Sequence, residues 1–250
     1  MATANENVCS NSTNQSVVKR FDNRTDLFQS IASDIEAGLK QSLKNNDKAS
    51  LIIPGGTTPA PAFLSLSQSE LDWSKVTIAQ SDERWVDSNH EQSNQKLTES
   101  TLLINNAAKA SYVAMKNRAS TASKGLAECE QSYRALRLPF SISLLGMGLD
   151  GHFASLFPSS KNLEHGMSLE NESLCIDIDG TGCSVAGDYP QRMSLTLNAI
   201  LNSEQIMLLI TGDEKLALIE KNRDVNPCLD CPISFLLNQD STPVVIYWAE

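Results

Sequence analysis

Between Leu144 and Pro158 the chain reads Leu-Leu-Gly-Met-Gly-Leu-Asp-Gly-His-Phe-Ala-Ser-Leu-Phe-Pro, an apolar run that breaks into three glycines and brings Asp150 and His152 to one turn. Histidine titrates closest to neutrality of all side chains, so His152 can take and return a proton without extreme tuning. Ser141 to Leu145 reads as a short buried strand. Gly146, Gly148 and Gly151 suit a backbone that turns sharply and approaches a ligand closely, and His152 is expected at or near the start of a short helix. An isolated histidine of this kind usually caps or packs. Asp150 two residues earlier and the surrounding glycines favour an active-site turn instead.

Four further segments carry groups that suit an anionic ligand. Pro54-Gly-Gly-Thr-Thr-Pro59 follows an apolar run and precedes the helix-like stretch Ala60 to Leu66. The amides and hydroxyls of Gly55, Gly56, Thr57 and Thr58 could cradle a phosphate there. The loop lacks the lysine of a Walker sequence and the spacing of a dinucleotide fingerprint, and taken alone it reads equally well as a tight turn. Ser81-Asp-Glu-Arg84 packs three charges directly after another apolar run; Arg84 could hold a carboxylate, a phosphate or a developing oxyanion, with Asp82 orienting it. Asp87, Asn89, His90 and Asn94 fall in the polar loop that follows, where His90 reads as a surface residue, as does His165. Lys215 opens a helix after a third apolar run. Arg192 opens an amphipathic stretch containing Met193, Leu195, Leu197 and Ile200, which places it at a helix end.

The elements that must position these groups alternate apolar β-like runs with longer amphipathic stretches, the pattern of a layered α/β fold with a mainly parallel sheet. Asp26 to Leu43 fits a helix, with Leu27, Ile31, Ile35 and Leu39 four apart. The β-like runs are Ala49 to Ile53, Val76 to Gln80, Ser141 to Leu145, Ile206 to Thr211 and Val244 to Trp248. Four of the five end in the loops just described, and in open α/β sheets such loops converge on one crevice. Ala107 to Leu136 reads as helical, and Ser159 to Asp188 as a polar, mainly irregular excursion. The expected organisation is one α/β domain over residues 17–250, preceded by a disordered polar arm over residues 1–16.

Composition narrows the partners. A formal net charge of -10 over 250 residues argues against non-specific binding to nucleic acid or an anionic membrane. An anionic ligand would therefore need a local cationic island, for which Arg84, Arg192 and Lys215 are the candidates. No apolar run approaches the roughly 20 residues needed to cross a bilayer, and the first sixteen residues lack the order of a signal peptide, so the expected location is the cytoplasm. The six cysteines are irregularly spaced. Cys228-Leu-Asp-Cys231 lacks the second ligand pair that zinc requires, and the cysteines read as plain structural thiols with no metal site.

In this order the segments resemble the 6-phosphogluconolactonases of the glucosamine-6-phosphate deaminase/6-phosphogluconolactonase superfamily. The resemblance runs from about Leu51 to the C-terminus: the Pro54 to Pro59 loop, Ser81 to Val86, Leu144 to Pro158, Pro190 to Thr196, Thr211 to Lys215, Cys231 to Leu237 and Pro243 to Trp248. Pro54, Thr57, Leu149 and Phe153 depart from commoner residues, and none of these changes removes a charged or proton-transferring group. The resemblance implies a Rossmann-like sheet flanked by helices, of the NagB/RpiA-like kind. It implies hydrolysis of 6-phosphoglucono-1,5-lactone to 6-phosphogluconate in the oxidative pentose phosphate pathway, without metal or cofactor. His152 would be the general base, Asp150 and Asp82 would organise the site, and Arg84 would bind substrate and stabilise negative charge. Gly56, Thr57, Arg192 and Lys215 would hold the phosphate, with Gly55, Thr58 and Gly148 beside it. The expected partner is a small phosphorylated sugar lactone, bound by a monomer or small homo-oligomer. Two alternatives share such a domain. A glucosamine-6-phosphate deaminase would continue after the histidine into Phe-Asn-Glu-Pro, where this chain has no carboxylate, and a sugar-phosphate-sensing regulator would need a helix-turn-helix that sixteen polar residues cannot hold.

Overall fold

Leu27, Ile31, Ile35 and Leu39, four residues apart, are all fully buried, which makes the first long amphipathic stretch a helix packed along one stripe. It spans Arg24–Asn46, begins where the Asn23 side chain accepts from the Asp26 amide, and ends at Asp47 in the left-handed region. In the computed structural model, which describes residues 16–250, this is α1. All of the N-terminal arm except Ser16, and with it Cys9, lies outside the described residues.

The chain runs β1 (Val17–Arg20), α1, β2 (Ala49–Ile53), α2 (Ala60–Leu66), β3 (Val76–Gln80), β4 (Asp82–Arg84) and α3 (Asn94–Thr101). It continues through β5 (Ser111–Val113), α4 (Ala122–Arg134), β6 (Ile142–Leu145), α5 (Leu163–Met167), β7 (Cys175–Asp179), β8 (Gln191–Leu195) and α6 (Leu197–Leu201). The last elements are β9 (Ile206–Thr211), α7 (Asp213–Lys221), α8 (Ile233–Leu237) and β10 (Val244–Ala249).

Seven strands form one parallel sheet in the order β1-β10-β9-β6-β2-β3-β5. Every residue of β2 and β6 is buried, as expected of central strands covered on both faces. Leu51, Ile53, Ile142 and Leu144 point into the apolar layer that contains α1 and α2, while Ile52 and Leu145 point into the opposite layer. From β2 the connections step outward through β3 and β5; from β6 they step the other way through β9 and β10. That reversal between β2 and β6 opens a crevice beyond their carboxyl ends, the place where open α/β sheets bind ligands.

A second, antiparallel sheet, β4-β8-β7, covers one side of this crevice. Ser81 joins the two sheets: its amide donates to Ile53 O at 2.8 Å and its carbonyl accepts from Leu195 N at 2.8 Å. The two sheets together change three expectations. Arg192 lies inside strand β8, buried between Gln191 and the fully buried Met193, rather than at a helix end. The excursion from Ser159 to Asp188 contains β7, where Cys175, Ile176 and Ile178 are buried and Asp177 and Asp179 are half-buried at the face of the sheet. The stretch from Ala107 to Leu136 is α-helical only over Ala122–Arg134; its first part holds the end of a 3-10 turn (Asn105–Lys109) and β5, the outermost strand beside β3, and Thr121 caps α4 by accepting from the Lys124 amide. Alanines on both sides of Ser111-Tyr-Val113 give that part a helical composition which pairing with β3 overrides.

Candidate active site

His152 does not start a helix. The Gly148 amide donates to His152 O at 2.9 Å and the Gly151 amide donates to Gly148 O at 3.1 Å, so the chain after β6 folds back on itself in a closed turn. Gly151 has φ 80° at its corner. A Cβ on Gly148 would overlap the His152 ring and the Asp150 carboxylate, so glycine is what lets these two side chains lie against the backbone. From the outside, the Ile233 amide donates to Gly151 O at 2.8 Å and braces the turn against α8.

This packing brings Asp150 Oδ1 to 2.6 Å from His152 Nδ1. Burial disfavours the Asp150 carboxylate, but the hydrogen bond and charge of His152 outweigh it, and Asp150 ionises below the usual carboxylate range. An ionised carboxylate only accepts, so Nδ1 carries a proton, and whenever the ring is neutral Nε2 presents a lone pair. The imidazole packs edge-on against Phe157, centroids 4.8 Å apart. Its side chain is 20% exposed, enough for water to reach it.

The His152 turn forms one wall of a cleft of about 250 Å³ at the crevice between β2 and β6. Gly55, Gly56 and Thr58 line it from the loop after β2, Asp82 and Arg84 from β4, and Arg192 from β8. Lys215 reaches it from the first turn of α7. Arg84 Nη1 donates to Gln92 O at 2.9 Å and to Asn94 Oδ1 at 3.0 Å. Arg192 donates through Nε to Tyr189 O at 2.7 Å and through Nη2 to Ala186 O at 2.9 Å. Burial lowers its pKa to about 10, with Asp82 resisting the shift, so it stays charged at neutral pH. Burial also lowers Lys215. Among the described residues lining the cleft, these three cations face one carboxylate, that of Asp82. The acidic chain does build a local cationic site.

Asp82 does not orient Arg84, contrary to expectation. Its Oδ2 accepts from Ser155 Oγ at 2.6 Å and lies 4.0 Å from Arg192 Nη1, while Oδ1 accepts from Ser81 Oγ at 3.1 Å. Asp150 stands behind His152 and off the cleft wall. Thr57 is also away from the wall: its side chain is exposed and its carbonyl accepts from the Ala60 amide. The other nine of the eleven candidate residues meet in the cleft.

Several positioning residues escaped the sequence reading. Asn94, which read as loop, holds Arg84; a Cβ on Gly55 would overlap its carboxamide. Fully buried Glu83 accepts from the amides of Arg84, Asn94 and Gln95 and from Ser93 Oγ, tying β4 to the start of α3. Burial raises its pKa against those hydrogen bonds. Ser155 is fully buried beneath the cleft. A lone serine in an apolar run or an asparagine in a polar loop gives no signal of such a contact, and Glu83 reads as a surface charge until its four donors are located. His90 is half-buried against Tyr189, whereas His165 is exposed as expected. Cys129, Cys175, Cys183, Cys228 and Cys231 are free thiols, and no cluster of three or more metal-ligating side chains occurs among the described residues. No helix among them is long and apolar enough to cross a membrane.

The chain is similar in sequence and fold to known proteins. The chain is 35% identical over 233 residues to a 6-phosphogluconolactonase of Caulobacter vibrioides, covering 93% of this chain and 97% of the relative. It is 33% identical to the 6-phosphogluconolactonase of Rhizobium meliloti, with 92% and 97% covered. A 6-phosphogluconolactonase from Shewanella baltica superposes with a TM-score of 0.89 at 36% identity, covering 94% of this chain and 98% of that one. A monomeric glucosamine-6-phosphate deaminase of the NagB superfamily shares the fold at 21% identity and a TM-score of 0.73. The family described as glucosamine-6-phosphate isomerases/6-phosphogluconolactonase matches residues 22–246, and this chain belongs to it.

Proposed function

We propose that this chain hydrolyses 6-phosphoglucono-1,5-lactone to 6-phosphogluconate, the lactone-opening step of the pentose phosphate pathway, with His152 as the general base. The observation that carries this reading is His152, backed by Asp150 at 2.6 Å, at one wall of a cleft whose charged groups are Arg84, Arg192, Lys215 and Asp82. A base able to activate water, together with cations for a remote phosphate, is the equipment a phosphorylated lactone needs. The relatives' names point the same way.

The lone pair on Nε2 takes a proton from water as the water oxygen attacks C1 of the lactone. Asp150 stabilises the imidazolium that forms. The carbonyl oxygen becomes an oxyanion beside the Arg84 guanidinium. When the tetrahedral centre collapses, the bond from C1 to the ring oxygen breaks, the carbonyl re-forms, and Nε2–H returns its proton to the departing oxygen. One water is consumed and His152 ends neutral. Lys215, Arg192 and the amides of the Gly55 to Thr58 loop bind the phosphate and use that remote binding to hold C1 against His152. After His152, Ala154 faces the cleft and Ser155 turns to Asp82, so this segment offers no second acid for a deaminase reaction.

The test compares the purified protein on freshly made 6-phosphogluconolactone and on glucosamine 6-phosphate, with spontaneous lactone opening subtracted. Catalysed lactone opening without ammonia release is expected. Ammonia release from glucosamine 6-phosphate, with the lactone opening at its spontaneous rate, would overturn the reading.

A further inference from the structure

Arg84 and Arg192 lie directly opposite each other in the β4–β8 ladder, so two guanidinium groups project from neighbouring positions of one small sheet. Like charges so placed repel, and the ladder fixes their Cα atoms but not the ends of two long side chains. Each guanidinium is held by a loop carbonyl: Arg84 by Gln92 O at 2.9 Å, Arg192 by Tyr189 O at 2.7 Å. The two loops meet where His90 Nε2 lies 3.2 Å from Tyr189 Oη, with the rings edge-on at 4.9 Å.

The direction of these bonds makes them one chain. The Gln92 amide donates to His90 Nδ1 at 3.1 Å, so Nδ1 is the acceptor and Nε2 carries the proton that it donates to Tyr189 Oη. Gln92 thus touches His90 through its N–H and Arg84 through its carbonyl, and Tyr189 touches His90 through its hydroxyl and Arg192 through its carbonyl. The His90–Tyr189 contact spans 99 residues of sequence and sits over a groove that opens into the cleft at Arg84, Val185 and Arg192.

We infer that His90 and Tyr189 are positioning residues which set the gap between the Arg84 and Arg192 guanidiniums, and hence the affinity of the cleft for a phosphorylated ligand. Neither side chain touches substrate or moves a reacting proton. Losing their contact lets the two loops separate and Arg192 move away with the Tyr189 loop, while Asn94 Oδ1 still holds Arg84 in place, which weakens phosphate binding and spares chemistry.

The test uses Tyr189→Phe, which removes one hydroxyl; His90→Asn, which keeps an acceptor for the Gln92 amide but does not reach Tyr189; and the double variant. The KM for the lactone should rise roughly 3- to 10-fold in each single variant, the range expected for one hydrogen bond, with kcat within twofold of wild type. The double variant should be no worse than the worse single one. The kinetic arm rests on the lactonase reading, so the Kd for inorganic phosphate is measured in parallel by calorimetry, and it should weaken by a similar factor. If the wild type fails to open the lactone, that reading fails while the phosphate arm still judges the pair. Unchanged KM and Kd, additive losses in the double variant, or a fall in kcat with KM unmoved would each overturn the inference.

Discussion

Asp150 Oδ1 sits 2.6 Å from His152 Nδ1, and Gly148 leaves the space in which both side chains lie. Asp150→Asn keeps the shape but loses the charge that stabilises imidazolium, and its amide can donate to Nδ1 and move the ring proton to Nε2. The expected fall in kcat is about 10²- to 10⁴-fold, with KM little changed. The stability linkage is equally specific. A carboxylate whose pKa is lowered on folding stabilises the fold at pH values above its ordinary pKa, and that contribution fades as pH falls through the lowered value. The stability difference between wild type and Asp150→Asn in urea melts should therefore narrow as pH drops below 3.8, the ordinary value for aspartate. A difference that widens on acidification would contradict the assignment.

Gly148→Ala should separate activity from folding. The added methyl meets the His152 ring and the Asp150 carboxylate rather than backbone, so the pair is displaced while the strand stays in place. A loss of about 10²-fold in kcat is expected from a misplacement of that size. The assay is run where circular dichroism shows the variant fully folded. Normal turnover there would mean the close approach has no catalytic use.

Ser155 and Asp82 make the sharpest prediction about the cleft floor. Ser155→Ala removes a 2.6 Å hydrogen bond to a buried carboxylate and should cost about 1.5–3 kcal/mol in denaturant melts. The freed Asp82 oxygen is then expected to close its 4.0 Å gap to Arg192 and neutralise it, raising the KM for the phosphorylated lactone. A stability loss with KM unchanged would show that Ser155 only packs.

The proposed phosphate clamp should fail early in alkali. Burial lowers Arg192 to about 10 and Lys215 below its ordinary value, whereas a phosphate monoester is already dianionic above pH ~6. A cation whose pKa is lowered in the free site must recover its proton to hold an anion, so affinity falls as pH rises through that value. Calorimetric Kd values for inorganic phosphate should weaken progressively between pH 8 and about pH 10, and Lys215→Ala should weaken binding at pH 8 and flatten the slope. Lys215→Ala should also lose the preference for the phosphorylated lactone over gluconolactone. A wild-type Kd independent of pH would remove both cations from the clamp.

Most of the parallel sheet was legible because its strands are continuous apolar runs. Ala49–Ile53, Val76–Gln80 and Ile206–Thr211 match the expected boundaries, and the loops that follow them converge as such strands require. The small antiparallel sheet was not legible. Three residues, Asp82 to Arg84, are too short and too charged to read as a strand, and Arg192 looks like a helix-end cation until β4 and β7 pair on either side of β8. For the same reason the chemical groups His152, Arg84 and Lys215 could be read from sequence, while their supports could not. Asn94, Ser155 and Glu83 owe their roles to contacts formed 10 to 73 residues away, which no local pattern records.

Replacing His152 with alanine tests the proposed chemistry most directly. The variant is assayed on freshly prepared 6-phosphogluconolactone with spontaneous opening subtracted, and its affinity for 6-phosphogluconate is measured by calorimetry. A general base held by Asp150 predicts a kcat lowered by about 10²- to 10⁴-fold with product affinity near that of wild type. Turnover within threefold of wild type, with the fold intact, would contradict it.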